Sequence, residues 1–171
     1  FGSFVLAVPI FCMIIEFIGI RSRETDPVMS KKYDNLAHQL MKVSLTAYSW
    51  TAILGGILLF TFITLFPGFF KYMATIFRPV MHVYALMFLA ESGVLYVYYY
   101  GWDKMNDGGF LKWIHASLSV LLNLVGTVLM FLANSWATFM QAPGGIDEQG
   151  RFLGNIWHVI HSTLWNPVGV H

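Results

Sequence analysis

VMHVYALMFLAESGVLYVYYYG, residues 80 to 101, is a run of 22 residues broken by a single acid, Glu91. A helix needs about 20 mostly apolar residues to cross a bilayer, so this run is long enough to span one. Glu91 then lies near the middle of the membrane, where a charge costs roughly 2.5–3.5 kcal/mol on insertion scales. A buried carboxyl escapes that cost by binding a proton. Two readings of Glu91 follow. It is either a neutral packing group hydrogen-bonded to a neighbouring helix, or an acid that handles protons or borders a cofactor.

Working outward, three more segments reach spanning length: residues 1–20, containing Glu16, and residues 43–65 and 110–132. Of the 171 residues, 57% are hydrophobic and only 11% are charged, with a mean hydropathy of +0.62. Soluble domains carry about 25% charged residues. Continuous apolar runs argue for helices rather than the shorter alternating segments of a β-barrel. The expected fold is therefore all-α. Residues 1–134 form a transmembrane bundle of four spanning helices, and residues 135–171 form an outer loop, a short amphipathic helix over 152–165 and the start of a further element.

A net charge of +1 without any basic run excludes nucleic-acid binding. Cys12 has no partner for an internal disulfide and reads as a small buried hydrophobe. The chain opens without Met inside an apolar run and reads as a piece of a longer polypeptide.

Basic residues orient the spans. Arg21, Arg23, Lys31, Lys32 and Lys42 lie between the first two, and Lys104 and Lys112 between the last two. On the other side are Lys71, Arg78 and Arg151. The positive-inside rule places loops 21–42 and 102–112 in the cytoplasm of a bacterial-type inner membrane. Asp26-Pro27 reads as an N-cap and N1 pair that starts a stalk running into the second span. Gly55-Gly56 permits close helix approach or a bend, and Pro67-Gly68 ends that span. Tyr96, Tyr98, Tyr99, Tyr100, Trp102, Trp113 and Trp136 read as interfacial aromatics.

The chemistry-bearing candidates are few. His158 and His161, three apart on one helix face, could hold a copper or zinc ion, but not the two opposite faces of one haem. His82 begins the third span, about 180° around the helix from Glu91, and is either a haem ligand or an interfacial hydrogen-bonding group. Glu16 either pairs with Arg21 or acts in function. His38 reads as solvated, and His115 as anchored at the surface or capping a helix. No Cys-x-x-Cys-His, P-loop or dinucleotide fingerprint occurs, which excludes covalent c-type haem on this chain.

Ordered blocks carry a family likeness: FLAES (88–92) running into YGWDK (100–104), LANSW (132–136) followed by MQAP (140–143), and WNP (165–167). With Glu16 near the end of the first span, they resemble the N-terminal part of subunit I of cytochrome bd-type quinol oxidases. The resemblance covers nearly the whole chain. It implies quinol oxidation at the outer face coupled to oxygen reduction, with haem b groups and usually a haem d, and protons delivered through acidic side chains. By motif, Glu91 matches the second of two carboxylates beside the high-spin haems. The first would stand eight residues earlier, where this chain has Val83, with His82 beside it. His171, after the Asn-Pro turn, falls in the neighbourhood of the low-spin haem histidine. The implied partners are quinol, the lipid bilayer and other membrane subunits: a subunit II-like protein or the remainder of subunit I. Within this reading, an oxygen reductase competes with a relative passing electrons to another complex. A cofactor-free accessory subunit and a small transporter using Glu91 and Glu16 are the alternatives.

Overall fold

The computed structural model describes residues 2–106 and 109–170, with side chains from residue 6 onward. Among the described residues there are seven helices: α1 (Gly2–Arg21), α2 (Pro27–Leu65), α3 (Pro67–Ile76), α4 (Arg78–Tyr100), α5 (Phe110–Gln141), α6 (Ile156–Ile160) and α7 (Trp165–Val170). Helices α2, α4 and α5 are long and apolar enough to cross a membrane. At 1.5 Å per residue, the 23 residues of α4 reach about 35 Å, enough for a hydrocarbon core of about 30 Å. Helix α1 is the 20-residue element expected as the first span. This is an all-α membrane helical bundle.

Local sequence explains where the helices stop. Asp26 Oδ1 accepts hydrogen bonds from the backbone N–H groups of Val28 and Met29, at 3.1 and 3.0 Å, and so caps α2 just before Pro27. The polar stretch 27–42 then continues without a break into the apolar stretch 43–65 as one helix of 39 residues. It ends because Pro67 disfavours helical backbone at the preceding residue. Phe66 takes φ −130° and ψ 55°, and Pro67 opens α3.

Several expectations need correction. Residues 67–76 form a helix that the apolar-run reading passed over, and α5 runs on to Gln141. The expected helix over 152–165 shrinks to the five residues of α6. Asn166-Pro167 is not a turn: both residues lie in the first turn of α7, where proline's missing N–H costs nothing. Gly55 and Gly56 have open space beside them rather than a closely packed helix.

The chain divides into two compact units. Unit 1 comprises Phe1–Ile57 and Leu89–Gly126. In it α1 and α2 approach closely. A Cβ on Gly19 would lie 3.3 Å from Tyr33 Cβ, Ser30 Oγ donates to Gly19 O at 2.7 Å, and the buried Cys12 thiol reaches Ala37 O at 3.5 Å. Tyr48 and Ser92 share a hydrogen bond of 2.6 Å between α2 and α4. Unit 2 comprises Leu58–Phe88 and Thr127–His171. Its core is Met73, Ile76, Phe77, Val80, Phe139, Val159 and Ile160, with Trp136 and Trp165 packed against them. Trp165 Nε1 donates to Phe131 O at 3.1 Å. At the end of α5 a short turn pairs Ile146 with Phe152, and Gly145 takes φ 72°, a left-handed conformation that glycine adopts without steric cost.

Candidate functional site

Glu16 on α1 and Glu91 on α4 sit in opposite environments, both in unit 1. Glu16 lies at the polar end of α1 and is 1% exposed. Its carboxylate is surrounded by donors. Tyr98 OH donates to Oε2 at 2.7 Å, and Lys112 Nζ lies 3.0 Å and His115 Nδ1 2.6 Å from Oε1. His115 is fully buried, and its Nε2 lies 2.9 Å from the backbone carbonyl of Tyr98. A carbonyl can only accept, so Nε2 carries a proton. One further proton is then shared between Nδ1 and Glu16, as imidazolium and carboxylate or as neutral imidazole and carboxylic acid.

Lys112 also lies 2.6 Å from Asp34 Oδ1, and Trp102 Nε1 donates to Asp34 Oδ2 at 3.1 Å. Asn106 Nδ2 donates to the same oxygen. His38 stacks on Trp102 at 4.9 Å between ring centroids. Two carboxylates and Lys112 leave one negative charge, so a protonated His115 makes the cluster neutral. Asp34 belongs to the polar turns of α2, ahead of its apolar stretch. Burial alone would raise its carboxyl pKa, but the hydrogen bonds and charge of Lys112, with Trp102 and Asn106, outweigh burial and hold it below 3.8.

This network corrects the sequence reading at five residues. Glu16 pairs with Lys112 and His115 rather than with Arg21. His115 is buried rather than anchored at a surface, His38 is stacked rather than simply solvated, and Tyr98 and Trp102 are interior rather than interfacial. Tyr96, Tyr100 and Trp113 keep the outward placement expected of a belt.

Glu91 is the contrast. It is 7% exposed and makes no hydrogen bond or ion pair among the described residues. The interhelical hydrogen bond of its packing reading is therefore not found there. Its Oε1 instead rests against the backbone of α5 at Gly126, 2.8 Å from where a Cβ would stand.

The histidines scatter. His82 is exposed on α4, beside the exposed Val83. His158 and His161 are exposed on and just after α6, and His161 Nδ1 lies 3.1 Å from Trp157 O. Among the described residues no group of three His, Cys, Asp or Glu side chains could hold a metal ion. His171 lies outside the described residues. Sequence reasoning missed Asp34, Tyr98, Trp102, Lys112 and His115 as a unit. One signal was available: Lys112 and His115, three apart, share one face near the start of α5.

Apolar spanning helices enclosing buried acids define a polytopic α-helical membrane protein with ionisable groups in its interior. The cytochrome bd terminal oxidase subunit I family matches residues 1–171, and the chain belongs to that family. Nothing among curated proteins or solved structures matches it. The family is one of haem-binding, quinol-linked respiratory membrane complexes. His115 does not suit an iron ligand, because both its ring nitrogens are engaged. The His82 imidazole, by contrast, is exposed on α4 and makes no side-chain hydrogen bond among the described residues.

Proposed function

We propose that this chain forms part of the haem-bearing subunit of a bd-type quinol oxidase-like complex, and that Glu91 is its proton-handling acid. One observation carries the reading: within the family-matched motif, Glu91 is a buried carboxyl that has, among the described residues, no partner that would hold its proton in place. A carboxyl locked by donors, as Glu16 is, has little freedom to exchange protons. A carboxyl seated against bare backbone can protonate, turn and release. Glu16 has the complementary role. Its proton-sharing contact with His115 and its ion pair with Lys112 tie α1 to α5, and the Asp34 contacts extend that tie to α2.

His82 is the haem b ligand candidate on the described part of the chain, and His171 is a second one beyond it. A haem, when bound, supplies the electron-transfer chemistry, and a haem d would add oxygen reduction. Val83, apolar and exposed, cannot relay a proton, so delivery to Glu91 starts from a group other than the family's first carboxylate. Among the described residues, a metal held by His158 and His161 would have only these two ligands. Segments 21–42 and 102–112 face the cytoplasm of the inner membrane, with quinol oxidised on the opposite side and the remaining ligands supplied by further polypeptide.

The test is the visible spectrum and turnover of the purified complex, wild type and Glu91→Gln. Dithionite reduction gives a haem α-band, and Glu91→Gln lowers quinol-linked turnover about 100-fold or more, within the roughly 10²–10⁴ range of an acid–base group, with the complex assembled. No haem band leaves a cofactor-free accessory subunit. Full turnover with unchanged spectra in Glu91→Gln leaves Glu91 a packing residue.

A further inference from the structure

We propose that Gly126 is a positioning residue for Glu91: the side chain missing from α5 is the space the carboxyl occupies. An ideal Cβ on Gly126 would lie 2.8 Å from Glu91 Oε1, 3.9 Å from Glu91 Cδ and 3.2 Å from Leu6 Cδ1. Gly126 sits inside the 32-residue helix α5, with no positive φ that would demand glycine. Glycine in a helix interior costs roughly 0.5–1 kcal/mol relative to alanine. Backbone freedom does not repay that cost here, so the open space beside the Cα does.

Alanine at this position leaves no room for the carboxyl where it stands. Two neighbours could yield. Leu6 needs to move by only a few tenths of an ångström, an ordinary packing adjustment. The carboxyl is too close for a comparable accommodation, and it is the far end of a flexible side chain. Gly126→Ala therefore keeps the helix and moves the carboxyl. A misplacement of about 1 Å near reacting groups can cost about 100-fold in rate. The inference rests on the reading of Glu91 as a proton-handling acid, and it adds that the acid's place is set from α5.

The experiment uses the complete complex with Gly126→Ala and Glu91→Gln made separately. Infrared difference spectra assign the Glu91 carbonyl band as the one lost in Glu91→Gln. Gly126→Ala should assemble with wild-type haem content, shift that band, displace the pH profile of quinol-linked turnover and slow turnover about 10- to 100-fold. A wild-type band and pH profile in Gly126→Ala, with Glu91→Gln impaired, overturns the positioning role and leaves the proton-handling reading standing. An unimpaired Glu91→Gln overturns that reading instead, and with it the inference. If Gly126→Ala fails to assemble, the double variant Gly126→Ala/Glu91→Asp decides. Its shorter side chain withdraws the carboxyl from the Cβ. Restored assembly supports the contact, and continued failure overturns it.

Discussion

Replacing Lys112 with methionine removes the ammonium shared by a buried pair of carboxylates while preserving most of the side-chain volume. Lys112 Nζ lies 3.0 Å from Glu16 and 2.6 Å from Asp34, with the lysine side chain 5% exposed. At an effective dielectric of about 20, a unit-charge contact at 3 Å is worth about 5–6 kcal/mol before desolvation is subtracted. Breaking a buried pair by removing one partner costs about 3–5 kcal/mol in practice, since the other charge stays behind unpaired. The Asp34 half counts for less because Asp34 is partly open to solvent. The expected loss for Lys112→Met is therefore about 3–4 kcal/mol, or a factor of about 10² to 10³ in the unfolding equilibrium. Titrating the purified protein from non-ionic micelles into a denaturing detergent, with helicity followed by circular dichroism, measures the shift. Adding Glu16→Gln removes the stranded charge, so the double variant should recover more than half of the loss. A loss under about 1 kcal/mol for Lys112→Met, typical of an exposed pair, would refute the buried-network reasoning. So would a double variant as unstable as the sum of the two single ones.

Two further outcomes follow from the same cluster. Tyr98→Phe deletes the hydroxyl that donates to Glu16 Oε2 at 2.7 Å and should cost about 1.5–3 kcal/mol, the range for hydrogen bonds to charged groups. The same denaturation measurement checks it, and a neutral result would mean that water replaces the hydroxyl. Asp34 contributes through a folded-state pKa below its ordinary 3.8, so its stabilisation is present above the unfolded value and is lost as pH falls through the folded one. The stability gap between wild type and Asp34→Asn should therefore stay constant from about pH 8 to pH 5 and narrow below about pH 4. A gap that persists unchanged under acid would show that Asp34 contributes through shape rather than charge.

Much of the fold could be read along the chain because its determinants are local. Spanning length follows from counting apolar residues, the start of α2 from Asp26-Pro27, and its end from Pro67. Helix α3 escaped because its ten residues, opened by Pro67, are too few to show as an apolar span. Trp102 looked interfacial because aromatics near span ends usually are. Its interior position depends on Asp34, 68 residues away, offering an acceptor to its indole N–H.

By itself, the sequence of this protein determined that it lies in a membrane, that it is helical, and that two acids stand within apolar segments. It also carried, in ordered blocks around Glu91, the likeness to bd oxidase subunit I that the family match bears out. Only the tertiary structure decided what those acids experience. Glu16 is locked because Tyr98, Lys112 and His115 converge on it from two other helices. Among the described residues Glu91 is left without a donor, because the backbone it meets at Gly126 carries no side chain. The physical reason is range. Hydrophobic length and capping act over a few consecutive residues, whereas desolvation and donor supply at a buried carboxyl depend on atoms brought together from helices up to about a hundred residues apart.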